Sequence, residues 1–271
     1  MNRKFMLSAV FICLILFTFS ISDAAEWCYE GCDYTPDKWN EISEVCGNGK
    51  QQSPINFSQS KLEPKKERVK RKKLYDIEFN YKETPLKILN NGHTVEVEYE
   101  AGSTIRLEKK GQLYEILQFH FHCPSEHSFD NGALYDCELH IVHRSNKNKL
   151  AVIGVMIKEG HENLALKAVT DHLEDVIDKD TEYLNEDVEI NIEDALSNDR
   201  RYYAYSGSLT TPPCSEDVEW RVLYEPIEMS REQINAFIAV FDNSCCPVNG
   251  NNRPVQPLNN RKIFLDKNTK K

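Results

Sequence analysis

The sequence predicts a mainly β chain of the α+β class: one large, mostly antiparallel central sheet with a few peripheral helices. Three observations carry this expectation. Short runs alternate apolar and polar residues, among them "HTVEVEYE", "STIRLEK", "LQFHFH", "CELHIVH", "AVIGVMI" and "EWRVLYE". Successive strand side chains point to opposite faces, so each run reads as a strand. The chain is punctuated by "GNG", "NNG" and "DNG", the turn chemistry that joins strands as hairpins. Helical spacing is confined to two segments. In 162–178, Leu166, Val169, Leu173, Val176 and Ile177 recur at steps of three and four, and in 230–241 a Ser230/Gln233 capping box precedes Ile234, Phe237 and Val240.

In chain order, the first segment stands outside that domain. Arg3 and Lys4 precede "FMLSAVFICLILFTFSIS", and Ser22-x-Ala24 fits a small-x-small cleavage rule, so residues 1–24 read as a secretory signal peptide. The remaining stretch, 25–271, has no internal repeat or low-complexity linker and reads as one domain. Losing Arg3, Lys4 and Asp23 takes the formal charge from −10 to −11, which argues against nucleic acid as a partner. The C-terminal "RKIFLDKNTKK" is too polar for a lipid-anchor signal, so no membrane anchor is expected and the mature chain should be secreted and extracellular.

Cysteine usage agrees with that compartment. Eight cysteines remain once Cys13 is removed, and an even number in a secreted chain favours disulfides over metal binding. Eight allow 105 pairings, so counting fixes none. Asn56-Phe57-Ser58 is a glycosylation sequon, making Asn56 a candidate glycan site. The basic run "KKERVKRKK", 65–73, reads as a solvated loop, with an acidic matrix polymer as a sharper partner hypothesis and a processing site at 68–71 as another. The acidic stretch 174–195 lacks the spaced ligand-and-glycine loop of a calcium site and reads as a solvated face.

The chemistry concentrates in "LQFHFHCPSEH" and "CELHIVH". Strand alternation puts Gln118, His120 and His122 on one face, with Leu117, Phe119, Phe121 and Cys123 on the other. The second run places Glu138, His140 and Val142 together, opposite Cys137, Leu139, Ile141 and His143. A hairpin turning near "FDNGALY" would gather His120, His122 and His140 over one face. Three histidines without a fourth protein ligand is the composition of a catalytic zinc site with an open position. Cys123 faces away and cannot complete the set, and it lies roughly across the hairpin from Cys137, so these two can form a cross-strand disulfide. Gln118 and Glu138 are placed to take the outer N–H of a ligating imidazole, which fixes its tautomer.

At this point the sequence resembles the α-class carbonic anhydrases. The matching stretches are "WCYEG" with Trp39, "QQSPIN", "ILNNGH", "QFHFH…PSEH", "ELHIVH", "LAVIG", "GSLTTPPC", "EWRVL" and "NNRPVQPLNNR", in order across nearly the whole mature chain. The resemblance implies a twisted sheet with a conical pocket, Zn2+ at its base on His120, His122 and His140, and reversible hydration of carbon dioxide to bicarbonate and a proton by zinc-bound hydroxide. It implies that Thr210 and Glu126 orient the hydroxide, that Thr211 lies beside the substrate, and that His93 is the proton shuttle. Val142, Val152, Leu209, Val218 and Trp220 match the apolar wall for carbon dioxide. His127 and His143 match structural histidines. By the same resemblance Cys46 should pair with Cys214, and Cys28 with Cys32 is plausible; Cys245 and Cys246 have no assigned partner. Glu96, Tyr203 and Ser206 depart from the family near the expected pocket. The competing reading is a non-catalytic relative acting as a matrix or binding protein; such relatives commonly lose a zinc histidine, and all three are present here.

Overall fold

The computed structural model describes residues 26–58, 69–72, 74–243 and 250–266, without the side chains of 69–72 and Asn243. Residues 1–24, Cys245, Cys246 and most of the basic run lie outside the described residues. Among those described, 13 strands form one sheet. Its main path runs through Thr181–Ile190, Thr84–Asn90, Val95–Glu98, Leu113–His122, Cys137–Ser145, Leu150–Glu159, Glu216–Leu223, Tyr202–Ser208, Ile263–Asp266 and Val69–Lys72. Most neighbours are antiparallel; the Leu150–Glu159 strand pairs parallel with Glu216–Leu223 and with Ile227–Met229, and Ile263–Asp266 pairs parallel with Val69–Lys72. The predicted fold class is thus the observed one. Within the basic run, residues 69–72 form an edge strand rather than continuing a loop.

The core follows the alternation. Phe119, Phe121, Leu139, Ile141, Ile153 and Val155 are completely buried in one apolar cluster beneath the sheet. A second cluster on the other face holds Val142, Val152, Val218, Trp220, Tyr203 and Tyr205. The helix Arg231–Asn243 packs Phe237 on Phe121, with ring centroids 4.1 Å apart. Its N-terminus is the predicted capping box: Gln233 N–H donates to Ser230 Oγ and Ser230 N–H donates to Gln233 Oε1, both at 3.2 Å.

The other helical expectation is corrected. Over 162–178 the chain makes only a four-residue α-helix, Lys167–Thr170, and a 3-10 turn, Glu174–Val176. The spaced residues Leu166, Val169, Leu173 and Val176 are buried as the periodicity requires. No side chain caps the start of either piece, and the β-branched Val169 and Thr170 occupy the first, so burial is achieved without a continuous helix.

Candidate active site

The two longest runs of histidine chemistry are neighbours in the sheet. Leu113–His122 pairs antiparallel with Cys137–Ser145, and the register sets His120 opposite His140 and His122 opposite Glu138. A register shift between Ile116 and Gln118 precedes the histidines, after which alternation is regular. Ring centroids are 5.0 Å apart for His120 and His122, 5.3 Å for His120 and His140, and 4.7 Å for His122 and His140. One nitrogen from each imidazole lies within 4.8 Å of the others.

Each ring is turned by an acceptor behind it. His120 Nδ1 lies 2.8 Å from Gln118 Oε1, His122 Nδ1 is 2.6 Å from the Asn251 carbonyl, and His140 Nε2 is 2.9 Å from Glu138 Oε1. Those oxygens only accept, so each of these nitrogens carries the proton. The remaining lone pairs, Nε2 of His120, Nε2 of His122 and Nδ1 of His140, belong to the same small space. His122 Nε2 is buried with no hydrogen-bond partner. So is Glu126 Oε2, which sits 3.6 Å from His122 Nε2 and 3.9 Å from His140 Nδ1. Three neutral imidazole lone pairs, one of them on a buried nitrogen without a partner, fit a zinc ion with three protein ligands and an open position.

Glu138 is the hub behind His140. Its Oε1 accepts from His127 Nδ1 at 2.7 Å as well as from His140, and its Oε2 accepts the backbone N–H groups of Glu126 and His127 at 2.9 and 2.8 Å. Burial works against its charge, but the His127 and His140 rings outweigh that and hold its carboxyl well below the usual carboxylate range. Burial likewise opposes protonation of His140, and Glu138 overcomes it, raising that ring. His120 and His122 have no such neighbour hydrogen-bonded to them, and burial lowers both. Gly154 stands opposite His140 in the next strand, and a Cβ there would come within 3.0 Å of Glu138 Oε1. In the group His127–Glu138–His140, both His127 nitrogens and His140 Nε2 are already hydrogen-bonded, so the group supports the triad and is not a second metal centre.

The expected apolar wall packs beside this centre. Val142, Val152, Val218 and Trp220 share one apolar cluster with Leu209 packed against it, and the Trp220 ring lies 4.9 Å from that of His140. Thr210 is buried on the loop after Tyr202–Ser208, and the Thr211 carbonyl accepts from Cys214 N–H at 2.8 Å. The expected Thr210–Glu126 hydrogen bond is not formed in this structure: Glu126 Oε1 accepts instead from the Arg253 backbone N–H at 2.8 Å, and Oε2 has no partner. His93 follows the Asn90–Gly92 turn, with its ring stacked on Trp27. Glu96 lies opposite His120 across the Val95–Glu98 strand. Tyr203 and Ser206 do not line a pocket beside the histidines: Tyr203 is a core residue stacked 4.6 Å from Phe57, and Ser206 is exposed. His143 is held by Tyr81 OH at 2.6 Å and the Ala151 carbonyl at 3.3 Å, apart from the triad.

Cys46–Cys214, the pairing the resemblance implies, is present, and so are Cys28–Cys32 and Cys123–Cys137, which the sequence left open as possibilities. Asn56, the sequon asparagine, is half-buried and donates from Nδ2 to Ser128 Oγ at 2.8 Å. Sequence reasoning missed the remote parts of the site. Asn251 fixes His122 through its carbonyl, while its side chain binds Cys123 N–H and the carbonyls of Phe121 and His93. Arg253, fully buried, donates to Gln52 Oε1 and to the carbonyls of Ser53 and Cys46; burial lowers its pKa to about 10. Tyr205 OH bridges His127 Nε2 and Ser53 Oγ at 2.6 and 2.8 Å. The stretches "QQSPIN" and "NNRPVQPLNNR" were the available signal.

The sheet gathers three imidazoles that could hold a metal ion, beside an apolar wall. The eukaryotic-type carbonic anhydrase family model matches residues 34–267. A carbonic anhydrase from Nostoc sp. is 40% identical over 241 residues, covering 88% of this chain and 85% of that protein. One from Pectobacterium atrosepticum is 37% identical over 253 residues, covering 92% and 94%. The Thermovibrio ammonificans α-carbonic anhydrase, solved with sulfanilamide, superposes with a TM-score of 0.77 at 37% identity, covering 88% of this chain and 98% of that one. This chain belongs to the α-carbonic anhydrase family and is a carbonic anhydrase enzyme.

Proposed function

We propose that the protein hydrates carbon dioxide reversibly to bicarbonate and a proton, using Zn2+ held by His120, His122 and His140. The carrying observation is the set of three imidazoles whose outer N–H groups are each committed to an acceptor, leaving three inward lone pairs. When bound there, zinc supplies the Lewis acidity that lets water ionise near neutral pH; carbonic anhydrase is the standard instance of that effect. Gln118, the Asn251 carbonyl and Glu138 hold the ligands in their neutral tautomers. Thr210 and Glu126 orient the attacking oxygen. A buried carboxylate only accepts, so Thr210 gives its proton to Glu126 and must itself accept from the nucleophile. Glu126 Oε2, without a partner in this structure, is available for that bond. Carbon dioxide carries neither charge nor net dipole, which suits the wall of Val142, Val152, Leu209, Val218 and Trp220, with Thr211 at its edge. His93 carries the released proton toward solvent.

The protein is proposed to act outside the cytosol after removal of residues 1–24, a setting with which three disulfides accord. No helix among the described residues is long and apolar enough to cross a membrane. Carbon dioxide hydration by purified protein should track zinc content measured by elemental analysis, vanish on chelation and return with zinc. Protein that folds without zinc uptake, or that loads zinc and does not turn over, would sink the proposal. N-terminal sequencing of secreted material should begin at Ala25.

A further inference from the structure

The strand pair that carries the three imidazoles ends at one of them. His122 is the last residue of Leu113–His122, and opposite it Glu138 is the second residue of Cys137–Ser145. The paired register stops there, since Cys123 is followed by Pro124, which has no N–H to extend the ladder. Local opening costs least at the ends of paired elements. His122 and the carboxylate behind His140 therefore stand where the pair would fray first.

The Cys123–Cys137 disulfide lies one step past that last pair and ties the strands across it. Both residues are buried, and Cys137 pairs with Ile157 in the next strand. The bridged residues are 14 positions apart, and the segment between them carries Glu126 and His127. That segment docks back on Glu138 Oε2 through the N–H groups of Glu126 and His127. A cross-link acts by removing opened arrangements of the loop it closes. Here those are the arrangements in which His122 and Glu138 part.

Cys123 also places the acceptor of His122. Its N–H donates to Asn251 Oδ1 at 2.8 Å, and its carbonyl accepts from Asn251 N–H at 3.3 Å. Gly250 permits this approach: its φ is +96°, and a Cβ there would overlap the Cys123 carbonyl oxygen and Pro124 Cδ. Locked in this way, Asn251 presents its own carbonyl to His122 Nδ1 at 2.6 Å. The bridge faces the apolar side of the sheet, yet it reaches the imidazole side through the main chain. His120 differs, because its acceptor Gln118 is two residues away in the same strand.

We propose that Cys123 and Cys137 are positioning residues of the metal site. Their disulfide keeps His122 against the Asn251 carbonyl and opposite Glu138, and so sets how long zinc is retained. The inference rests on the reading of His122 as a zinc ligand.

The test compares zinc-loaded native protein with Cys123→Ala/Cys137→Ala and with Cys123→Ala/Cys137→Val, which restores volume without the tie. Cys28→Ser/Cys32→Ser, which opens a bridge elsewhere, is the control, and each protein is measured on its folded fraction. Zinc release into a chromogenic chelator should quicken about tenfold in both bridge variants and stay native in the control. In 15N-histidine-labelled protein, exchange of the His122 Nδ1–H with water should quicken as well, while that of His120 Nδ1–H stays native. Native release rates in both bridge variants, or equal quickening in the control or at His120, overturn the proposal. The two readings fail separately. A His122→Ala variant that retains full zinc removes His122 as a ligand, and with it the effect on zinc release. The ring N–H comparison, repeated on zinc-free protein, still decides whether the bridge positions His122.

Discussion

The two faces of the central strand pair are made by one alternation and do opposite work. On one face His120, His122 and His140 gather with Gln118 and Glu138; on the other Phe119, Phe121, Leu139 and Ile141 are completely buried among apolar neighbours. The apolar face needs only volume and tolerates any direction of contact. The polar face needs each ring nitrogen matched to one acceptor, and every such match is made at 2.6–2.9 Å. Stability should therefore reside mainly on the first face and metal binding on the second, although successive residues contribute to each.

The largest effect should come from the polar face. His140→Ala removes one of three ligands and should take zinc stoichiometry from one toward zero, with carbon dioxide hydration lost, while the protein remains folded by circular dichroism. An active, zinc-loaded variant would show that the triad is misassigned. Phe121→Ala, between two metal ligands but facing the other way, should behave in the converse manner. Its ring packs against Phe237, and removal should cost about 3–5 kcal/mol in urea unfolding. The fraction that folds should still bind one zinc; loss of zinc at full foldedness would mean the two faces are not separable.

Glu138→Gln is a finer probe because it keeps shape. Four donors converge on the carboxylate, two ring N–H groups on Oε1 and two backbone N–H groups on Oε2. An amide offers one oxygen and turns an NH2 toward donors at the other position, so either His140 or the 126–127 backbone loses its acceptor. Zinc affinity should drop by about 10–100-fold in competition with a chelator. Affinity equal to native would mean that Glu138 serves the fold and not the metal.

The difference between the faces also explains what the sequence could and could not disclose. Period-two alternation is local, so the strand pair, the triad, the inward Glu138 and the Cys123–Cys137 bridge on the far face were all legible. The His122 acceptor comes from Asn251, 129 positions away, and it is a backbone carbonyl, which leaves no mark in side-chain pattern. The same holds for Arg253, which reads as a surface charge until its partners in 46–53 are assembled around it. The segment 162–178 shows the converse limit: apolar spacing reported the buried side chains correctly and the continuity of the helix wrongly. The Thr210–Glu126 bond was expected from resemblance alone, and local pattern had nothing to add.

The smallest effect tests a histidine on the apolar face. His143 is buried, and burial lowers its pKa to about 3. Its Nδ1–H donates to the Ala151 carbonyl and its Nε2 accepts from Tyr81 OH, so a second ring proton would break the 2.6 Å bond to Tyr81. The unfolded chain takes up that proton near 6.5 and the folded chain does not until about 3. Between those values the unfolded state binds more protons, so stability rises with pH there, is fully present above 6.5, and is lost as pH falls toward 3. The contribution of this one ring should approach about 1.4 kcal/mol per pH unit within the window. Urea unfolding of native protein and His143→Gln at pH 7, 6 and 5 isolates it: the variant is less stable at pH 7, and its stability should decline less steeply. Parallel slopes would place the acid sensitivity elsewhere, on the polar face, where His120 and His122 are also held below their ordinary range by burial.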